Sequence, residues 1–521
     1  MKKTSAAKKK RVVDARRSPK IKTLKELRRI IRASRRRGRR VALCHGVFDL
    51  LHPGHIVHFQ EARSHGDLLV VSLTPDRYVN KGPGRPFFPE ALRMESLAAI
   101  ESVDYVVLNE WPTATKMLKL LQPNFYVKGG DYADARKDLT GKIVEEAEAM
   151  RSFGGRLVFT EGFTSSSSRL LNRFFSVYPK ATQEYLHAFR REYTADEVVG
   201  HLKGLRDLRV LVVGEAILDQ YTYCLPLGKS PKETIVSTKF LSDELFAGGA
   251  VATANHIAGL CKEVVLLTAL GEDQAQEKFV RRKLKGNVRL ELMRTMDRPS
   301  VRKRRFISSP EMRKMFEIQF LNDEPLQTRD EKVFARMLQQ QLRSCDLVVV
   351  NDFGHGLLTE GLRRDLSRCR RFLALNTQSN SANLGFNEIT KYSRADYVSI
   401  DELELRLAWG EKHFEIDAMT KALRRRIGAQ KFLVSRGAKG SVIHDRAGFH
   451  VSPALATRIV DRIGAGDALF AVTSPLAYKK TPSDILGFIG NCVGALAVEI
   501  VCNRESIEPV PLFKFVETLL K

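Results

Sequence analysis

Apolar residues in this chain fall into two kinds of run. Short unbroken ones read as buried strands: 41–47, Asp67 to Leu73, Tyr105 to Leu108, Phe125 to Val127 and 156–160. Between them the spacing changes to three and four. Leu24, Leu27, Ile30 and Ile31 mark a helix from Thr23 to near Gly38, and Ile56, Phe59, Gln60 and Arg63 mark another behind Pro53. Further helices are predicted over 89–100, 113–121 and 140–152. After a polar and aromatic stretch with helical spacing the alternation restarts, with strands at 209–213, 263–268, 346–350, 372–376, 396–400 and 431–435. Strands alternating with helices at this spacing imply parallel sheets covered on both faces, hence an α/β protein. The expected boundaries are a disordered tail (1–20), a first domain (21–175), a linker (176–206) and a second domain with a small β-rich part (207–521).

Charge and cysteine content refine this picture. Of the formal net charge of +26, +17 lies in residues 1–40, which hold 19 lysines and arginines against Asp14 and Glu26. The tail could bind a polyanion weakly, while the body is only mildly basic, as suits phosphorylated substrates. The basic start has no apolar core behind it, which argues against a signal peptide. The longest apolar run, Ile485 to Cys502, is interrupted by Asn491 and Glu499, so a buried helix is expected there and no membrane span. Seven cysteines without a CxxC pair suit reduced thiols in the cytoplasm. Self-association into a homo-oligomer is left open.

The first chemical signal is His45-Gly46-Val47-Phe48-Asp49-Leu50-Leu51-His52-Pro53-Gly54-His55. A strand, a tight turn and a helix start bring free N–H groups and the positive end of a helix dipole to one point, which suits an anion such as a triphosphate. His52 and His55, three apart, can face the same side of it. A metal site from His52, His55 and His58 is the competing reading. Downstream, Lys128-Gly129-Gly130-Asp131-Tyr132 ends a strand, its glycines allowing close approach of a ligand. Thr164 and Ser165, Ser166, Ser167 and Ser168 open another helix. Gly82-Pro83-Gly84 lacks the third glycine of a dinucleotide fingerprint.

The HxGH element resembles the signature of the nucleotidyltransferase superfamily, in its cytidylyltransferase-like branch, and the 128–132 segment is similar to that of heptose-phosphate adenylyltransferases. The resemblance implies a Rossmann-like fold and in-line attack on the α-phosphate of ATP or CTP. It assigns His52, His55 and Lys128 to catalysis, Gly46, Phe48, Asp49, Gly54 and the serines 165–168 to nucleotide binding, and Asp131 to substrate. Arg85 and Arg93 are further candidates, either for the phosphates or as braces of the loop.

The second signal is Asp461-Arg462-Ile463-Gly464-Ala465-Gly466-Asp467, a small-residue turn starting a helix. Its N–H groups can form an anion hole, and Asp467 can take the proton of a sugar hydroxyl. This resembles the GAGD signature of ribokinase-like (PfkB) sugar kinases, over about residues 207–521. The resemblance implies nucleotide binding by Gly464, Ala465, Gly466, Ser435, Gly437 and Gly440. It implies sugar binding by Asp219, Gly248, Gly249 and Asn351, and Mg²⁺ held through water by Asp401 and Glu404. Departures are Glu215 for an aspartate, Ala252 for an asparagine, Asp401 for the asparagine of NxxE, and Asn376-Thr377-Gln378-Ser379-Asn380 for a DPK-type stretch.

Together the motifs resemble the bifunctional heptose-phosphate kinase/adenylyltransferases, with the domain order reversed. The implied activity is sugar phosphorylation at the anomeric hydroxyl followed by nucleotidyl transfer to the sugar 1-phosphate, with Mg²⁺ and a nucleoside triphosphate. Two alternatives are a transferase with an inactive kinase half as scaffold, and a nucleic-acid-binding protein that uses its tail.

Overall fold

Alternate residues of the second strand, Val41–Gly46 (β2), leave in opposite directions. Val41 and Leu43 pack with Leu27 and Ile31 of the helix Leu24–Arg36 (α1), whereas Ala42 and Cys44 pack with Phe59 of the helix Pro53–Ser64 (α2) and Leu97 of Glu90–Ala98 (α3). A strand buried on both faces in this way belongs to a parallel sheet with helices on each side. The computed structural model describes residues 18–79, 85–130, 142–160, 177–309, 311–411, 413 and 415–521. It divides into two compact units, one made of the residues up to Val177 with Phe513–Leu519 and Lys521, the other of Tyr178–Leu512 with Leu520.

In the first unit, β2 is joined by Ile21–Lys22 (β1), Leu68–Leu73 (β3), Tyr105–Leu108 (β4), Phe125–Gly129 (β5) and Arg156–Thr160 (β6). The six strands are parallel in the order β1-β4-β3-β2-β5-β6. α1 starts with a capping box: Thr23 accepts from Glu26 N–H while the Glu26 carboxylate accepts from Thr23 N–H. The Lys142–Arg151 helix (α4) precedes β6. Of the expected tail, residues 1–17 lie outside the described residues, and Lys20 donates to the Ile100 carbonyl beside β1.

The 176–206 stretch, expected as a linker, carries two helices, Lys180–Glu192 (α5) and Ala195–Lys203 (α6). Leu186, Phe189, Val198 and Leu202 form their buried stripe, and Phe189 stacks on Phe488 at 4.4 Å. Apolar spacing here therefore serves the second unit's core.

That unit is built on a nine-stranded sheet. Its strands are Arg209–Gly214 (β7), Glu263–Gly271 (β10), Val288–Thr295 (β11), Leu347–Asp352 (β14), Phe372–Thr377 (β15), Tyr397–Asp401 (β16), Lys431–Ser435 (β17), Ser441–His444 (β18) and Phe449–Ser452 (β19). The order is β11-β10-β7-β14-β15-β16-β17-β18-β19, parallel except for the last two pairings. The β-rich part is a separate four-stranded sheet made of Ala216–Lys229 (β8), Val236–Gly249 (β9), Val301–Ser308 (β12) and Arg313–Phe320 (β13), in the order β13-β12-β8-β9. The chain leaves β7 outward through β10 and β11 and returns on its other side as β14. The carboxyl ends of β7 and β14 thus form a topological switch point, where open α/β sheets bind ligands.

The helix Ala250–Ala258 (α7) follows β9, and Glu402–Trp409 (α8) follows β16. The apolar run near the C-terminus is the buried helix Ser483–Ala497 (α10), preceded by Ala465–Tyr478 (α9). No helix among the described residues is long and apolar enough to cross a membrane. All seven cysteines are free thiols.

Candidate active sites

β2 ends in a turn whose first need is packing. Phe48 adopts φ 47°, and its ring folds back over Gly46, where a Cβ would come 2.9 Å from Phe48 Cζ. The ring meets Phe59 at 5.2 Å and the edge of His55 at 5.5 Å. Gly46 and Phe48 thus support the turn. Asp49 also serves the fold here. Its Oδ1 accepts from the N–H groups of Phe87 (2.7 Å) and Phe88 (3.0 Å), and its Oδ2 lies 3.4 Å from Arg85, so the carboxylate fastens the 85–88 segment.

Arg93 is a brace as well. Fully buried on α3, it donates to the carbonyls of Val47, Thr74 and Phe88 and pairs with Asp76. Arg93→Met would leave three carbonyls without a donor, each costing about 1–3 kcal/mol when buried. The expected result is a loss on the order of 3 kcal/mol in stability, read as a lower midpoint of the first unit in denaturant unfolding, with the second unit's transition unmoved.

The start of α2 is different. Pro53 occupies its first turn, and the preceding His52 makes no side-chain cap. His52 is 7 % exposed, and neither ring nitrogen has a hydrogen-bond partner among the described residues. Burial lowers its pKa, so the ring is neutral. The His52 and His55 rings lie 3.9 Å apart, with Gly54 buried between them in sequence. One unfilled N–H donor beside an uncapped helix start fits a phosphate oxygen. His58 is drawn elsewhere, its Nδ1 lying 3.0 Å from Thr160 Oγ1, and no group of three metal-binding side chains occurs among the described residues. The three-histidine metal reading therefore has no support in the geometry.

Lys128 at the end of β5 forms a buried ion pair with Glu146 of α4 at 3.0 Å. Sequence reasoning missed Glu146, which only the packing of α4 beside β5 brings near. Asp131 and the serines 165–168 lie outside the described residues, as does the Gly82–Gly84 loop.

In the second unit, Gly214, Asn351 and Asn376 stand side by side at the carboxyl ends of β7, β14 and β15. Asn351 is fully buried, and neither atom of its amide has a hydrogen-bond partner among the described residues. The Glu215 carboxylate accepts from the N–H groups of Phe353 (3.1 Å) and His355 (3.2 Å); burial, then the Asp352 charge, push it up to about 7. Glu215 thus fastens the turn after β14. Asp219 on β8 pairs with Arg305 on β12, which also holds Glu317 on β13 at 2.6 Å. A Cβ on Gly248 would stand 2.1 Å from Asp219 Oδ2, and one on Gly249 2.5 Å from the Glu215 carbonyl. The glycine pair leaves room for Asp219 and for the Glu215 carbonyl.

Asp467 lies in the first turn of α9, whose N-terminus has no side-chain cap and where Gly464 takes φ 86°. It is buried, and Gln378 donates to its Oδ1 at 2.5 Å. Burial raises its pKa to about 7 against the opposing hydrogen bond. A Cβ on Gly466 would meet nothing within 4 Å, so the turn is open on that side.

Asp401 and Glu404 form a capping box at α8: Asp401 accepts from Glu404 N–H (2.7 Å) and Glu404 from Asp401 N–H (2.8 Å). Glu404 also accepts from Ser379 N–H, and burial followed by the Asp401 charge pushes it up to about 8. Ser435 is in register with Asp401, which sets the Gly437–Gly440 turn beside α8. That turn is closed by Arg436 N–H on the Gly440 carbonyl (2.7 Å), and Arg436 pairs with Glu402 (3.0 Å). A Cβ on Gly440 would strike the Ser452 carbonyl at 2.1 Å, whereas Gly437 faces open space.

The comparisons agree with this division. The family model for cytidylyltransferase-like proteins matches residues 43–172, and that for pfkB family carbohydrate kinases matches 207–507. The bifunctional protein HldE of Geotalea uraniireducens is 42% identical over 153 residues, 28% of this chain and 30% of that protein. HldE of Geobacter metallireducens is 38% identical over 164 residues, 30% of this chain and 32% of that protein. The chain thus spans about a third of the length of the curated relatives it matches. Among solved structures, phosphofructokinase-2 from Escherichia coli with potassium gives a TM-score of 0.49 at 14% identity, covering 60% of this chain and 100% of that one. Arabidopsis thaliana ribokinase with ribose and ATP gives 0.46 at 18%, covering 60% and 99%. Because the kinase match takes in more than half of its residues, this chain belongs to the pfkB family of carbohydrate kinases, and a cytidylyltransferase-like domain precedes the kinase.

Proposed function

We propose that the two units perform successive steps of sugar-nucleotide synthesis. The kinase unit phosphorylates the anomeric hydroxyl of a heptose-like sugar or sugar phosphate, and the first unit joins the resulting sugar 1-phosphate to a nucleotide from ATP or CTP. The observation that carries this reading is a pair of uncapped helix starts, each beside a buried titratable side chain suited to one step.

In the kinase step the acceptor oxygen bonds to the γ-phosphorus and ADP leaves. Asp467, held near neutrality, takes the hydroxyl proton, and the N–H groups of Gly464, Ala465 and Gly466 meet the charge on the phosphoryl oxygens. In the transferase step the acceptor is already anionic, so no base is needed. His52, His55 and the α2 start supply donors and positive potential as the sugar phosphate oxygen attacks the α-phosphorus and pyrophosphate leaves. Lys128 adds a positive charge behind them, tempered by Glu146. Mg²⁺, when bound, would neutralise phosphate oxygens. Asp401 and Glu404 already accept backbone N–H groups, so they suit an ion held through water.

The likeness to relatives named bifunctional supports two activities in one chain. A second reading, a transferase with the kinase unit as scaffold, draws on the Asp219–Arg305 pair, which occupies the carboxylate expected to hold sugar hydroxyls. A pyrophosphate-release screen of sugar 1-phosphates with ATP and CTP, run beside a kinase screen of the parent sugars, tests both. One sugar should be positive in both screens. Pyrophosphate release without phosphorylation of any sugar would favour the scaffold, and silence in both would overturn the proposal.

A further inference from the structure

Gln378 follows directly on β15, and its backbone is fixed on both sides. Its N–H donates to the Asp352 carbonyl at 2.9 Å, and its own carbonyl accepts from the Asn387 amide at 3.0 Å. The next residue, Ser379, is tied to Glu404. From this anchored position the Gln378 side-chain amide reaches across 89 residues of sequence to Asp467 Oδ1, at 2.5 Å. With one carboxylate oxygen engaged by a donor, the other is the one left to accept a proton.

We propose that Gln378 is a positioning residue for phosphotransfer: its amide orients the Asp467 carboxylate and keeps it in the ionised form that can accept the hydroxyl proton. The inference rests on reading Asp467 as the general base. It also gives a role to the departure at 376–380, where a neutral amide stands in a stretch expected to carry a lysine.

The charged groups around Asp467 come from several elements. Asp219 on β8 favours its protonated form, as does burial, while Lys303 on β12 and the Gln378 hydrogen bond favour the ionised form. Glu404 on α8 is in turn pushed up by Asp467. With the balance at about 7, the hydrogen bond decides whether the base is half ionised at neutral pH or mostly protonated. A hydrogen bond to a charged group is worth on the order of one pK unit, so losing it moves the midpoint to about 8.

The test uses the full chain with ¹³C-labelled aspartate. The Asp467 carboxyl signal is assigned by its loss in Asp467→Asn and titrated in the wild type, Gln378→Leu and Gln378→Lys. Gln378→Leu should move the midpoint up by about one unit, and Gln378→Lys should move it down, because an ammonium favours the carboxylate. The acid limb of kcat/KM for sugar phosphorylation should follow. For Gln378→Leu the rate falls about fivefold at pH 7 and less than twofold at pH 9. Equal midpoints in wild type and Gln378→Leu would overturn the inference, as would a rate loss of one constant factor at every pH. Phosphorylation that survives in Asp467→Asn would instead sink the general-base reading, a result separable from the titration, which needs no turnover.

Discussion

Asp467→Asn is expected to lower sugar phosphorylation by about 10²–10⁴-fold, the usual worth of a positioned general base. Pyrophosphate release from a supplied sugar 1-phosphate should stay within twofold of wild type. The substitution keeps the shape of the side chain in the first turn of α9 and removes only its basicity. Because the carboxyl is buried and already disfavoured as an anion, a neutral amide should not lower stability, so thermal unfolding serves as the control. ADP formation and pyrophosphate release, measured on one preparation, separate the two activities. Undiminished ADP formation would mean that another group takes the proton or that none needs to.

His52→Ala should produce the mirror image: about a 10²–10³-fold loss in nucleotidyl transfer, with sugar phosphorylation unchanged. The size follows from the setting. The His52 ring is buried at an uncapped helix start and has no hydrogen-bond partner among the described residues, so a donor there is available to a phosphate oxygen. Its lowered pKa means that it is already neutral at pH 7 and protonates only in acid. The transfer rate should accordingly show no inflection from this group between pH 7 and 9. Loss of both activities, or a loss matched by unfolding, would point to a structural role for the ring.

Local pattern is enough for the interior strands Tyr105–Leu108 and Lys431–Ser435, whose central apolar residues are buried, and for the edge strand Arg156–Thr160, of which only Thr160 is buried. The helical spacing of Leu186, Phe189, Val198 and Leu202 is legible locally, but Phe488, on which Phe189 stacks, lies far along the chain, so the stretch reads as a linker. The same limit applies to the sites. The glycines and the aspartate around Gly464–Asp467 announce a helix start, but Gln378 reaches Asp467 only through the order of the sheet. Arg305 meets Asp219 because β12 pairs with β8, and Glu146 meets Lys128 because α4 precedes β6. Motif residues also divide their labour in ways no pattern shows. Gly46, Phe48 and Asp49 build the turn, while the His52 ring nitrogens find no hydrogen-bond partner among the described residues.

The most direct test of the account is a single ³¹P NMR time course. The full chain is given Mg²⁺, ATP, CTP and a free sugar that scores in the kinase screen, with no sugar 1-phosphate added. The account predicts that a sugar 1-phosphate signal rises first, and that pyrophosphate and a sugar-linked diphosphate then grow as it declines. A sugar 1-phosphate that accumulates without any pyrophosphate, or pyrophosphate that forms from a product the kinase unit does not make, would contradict it.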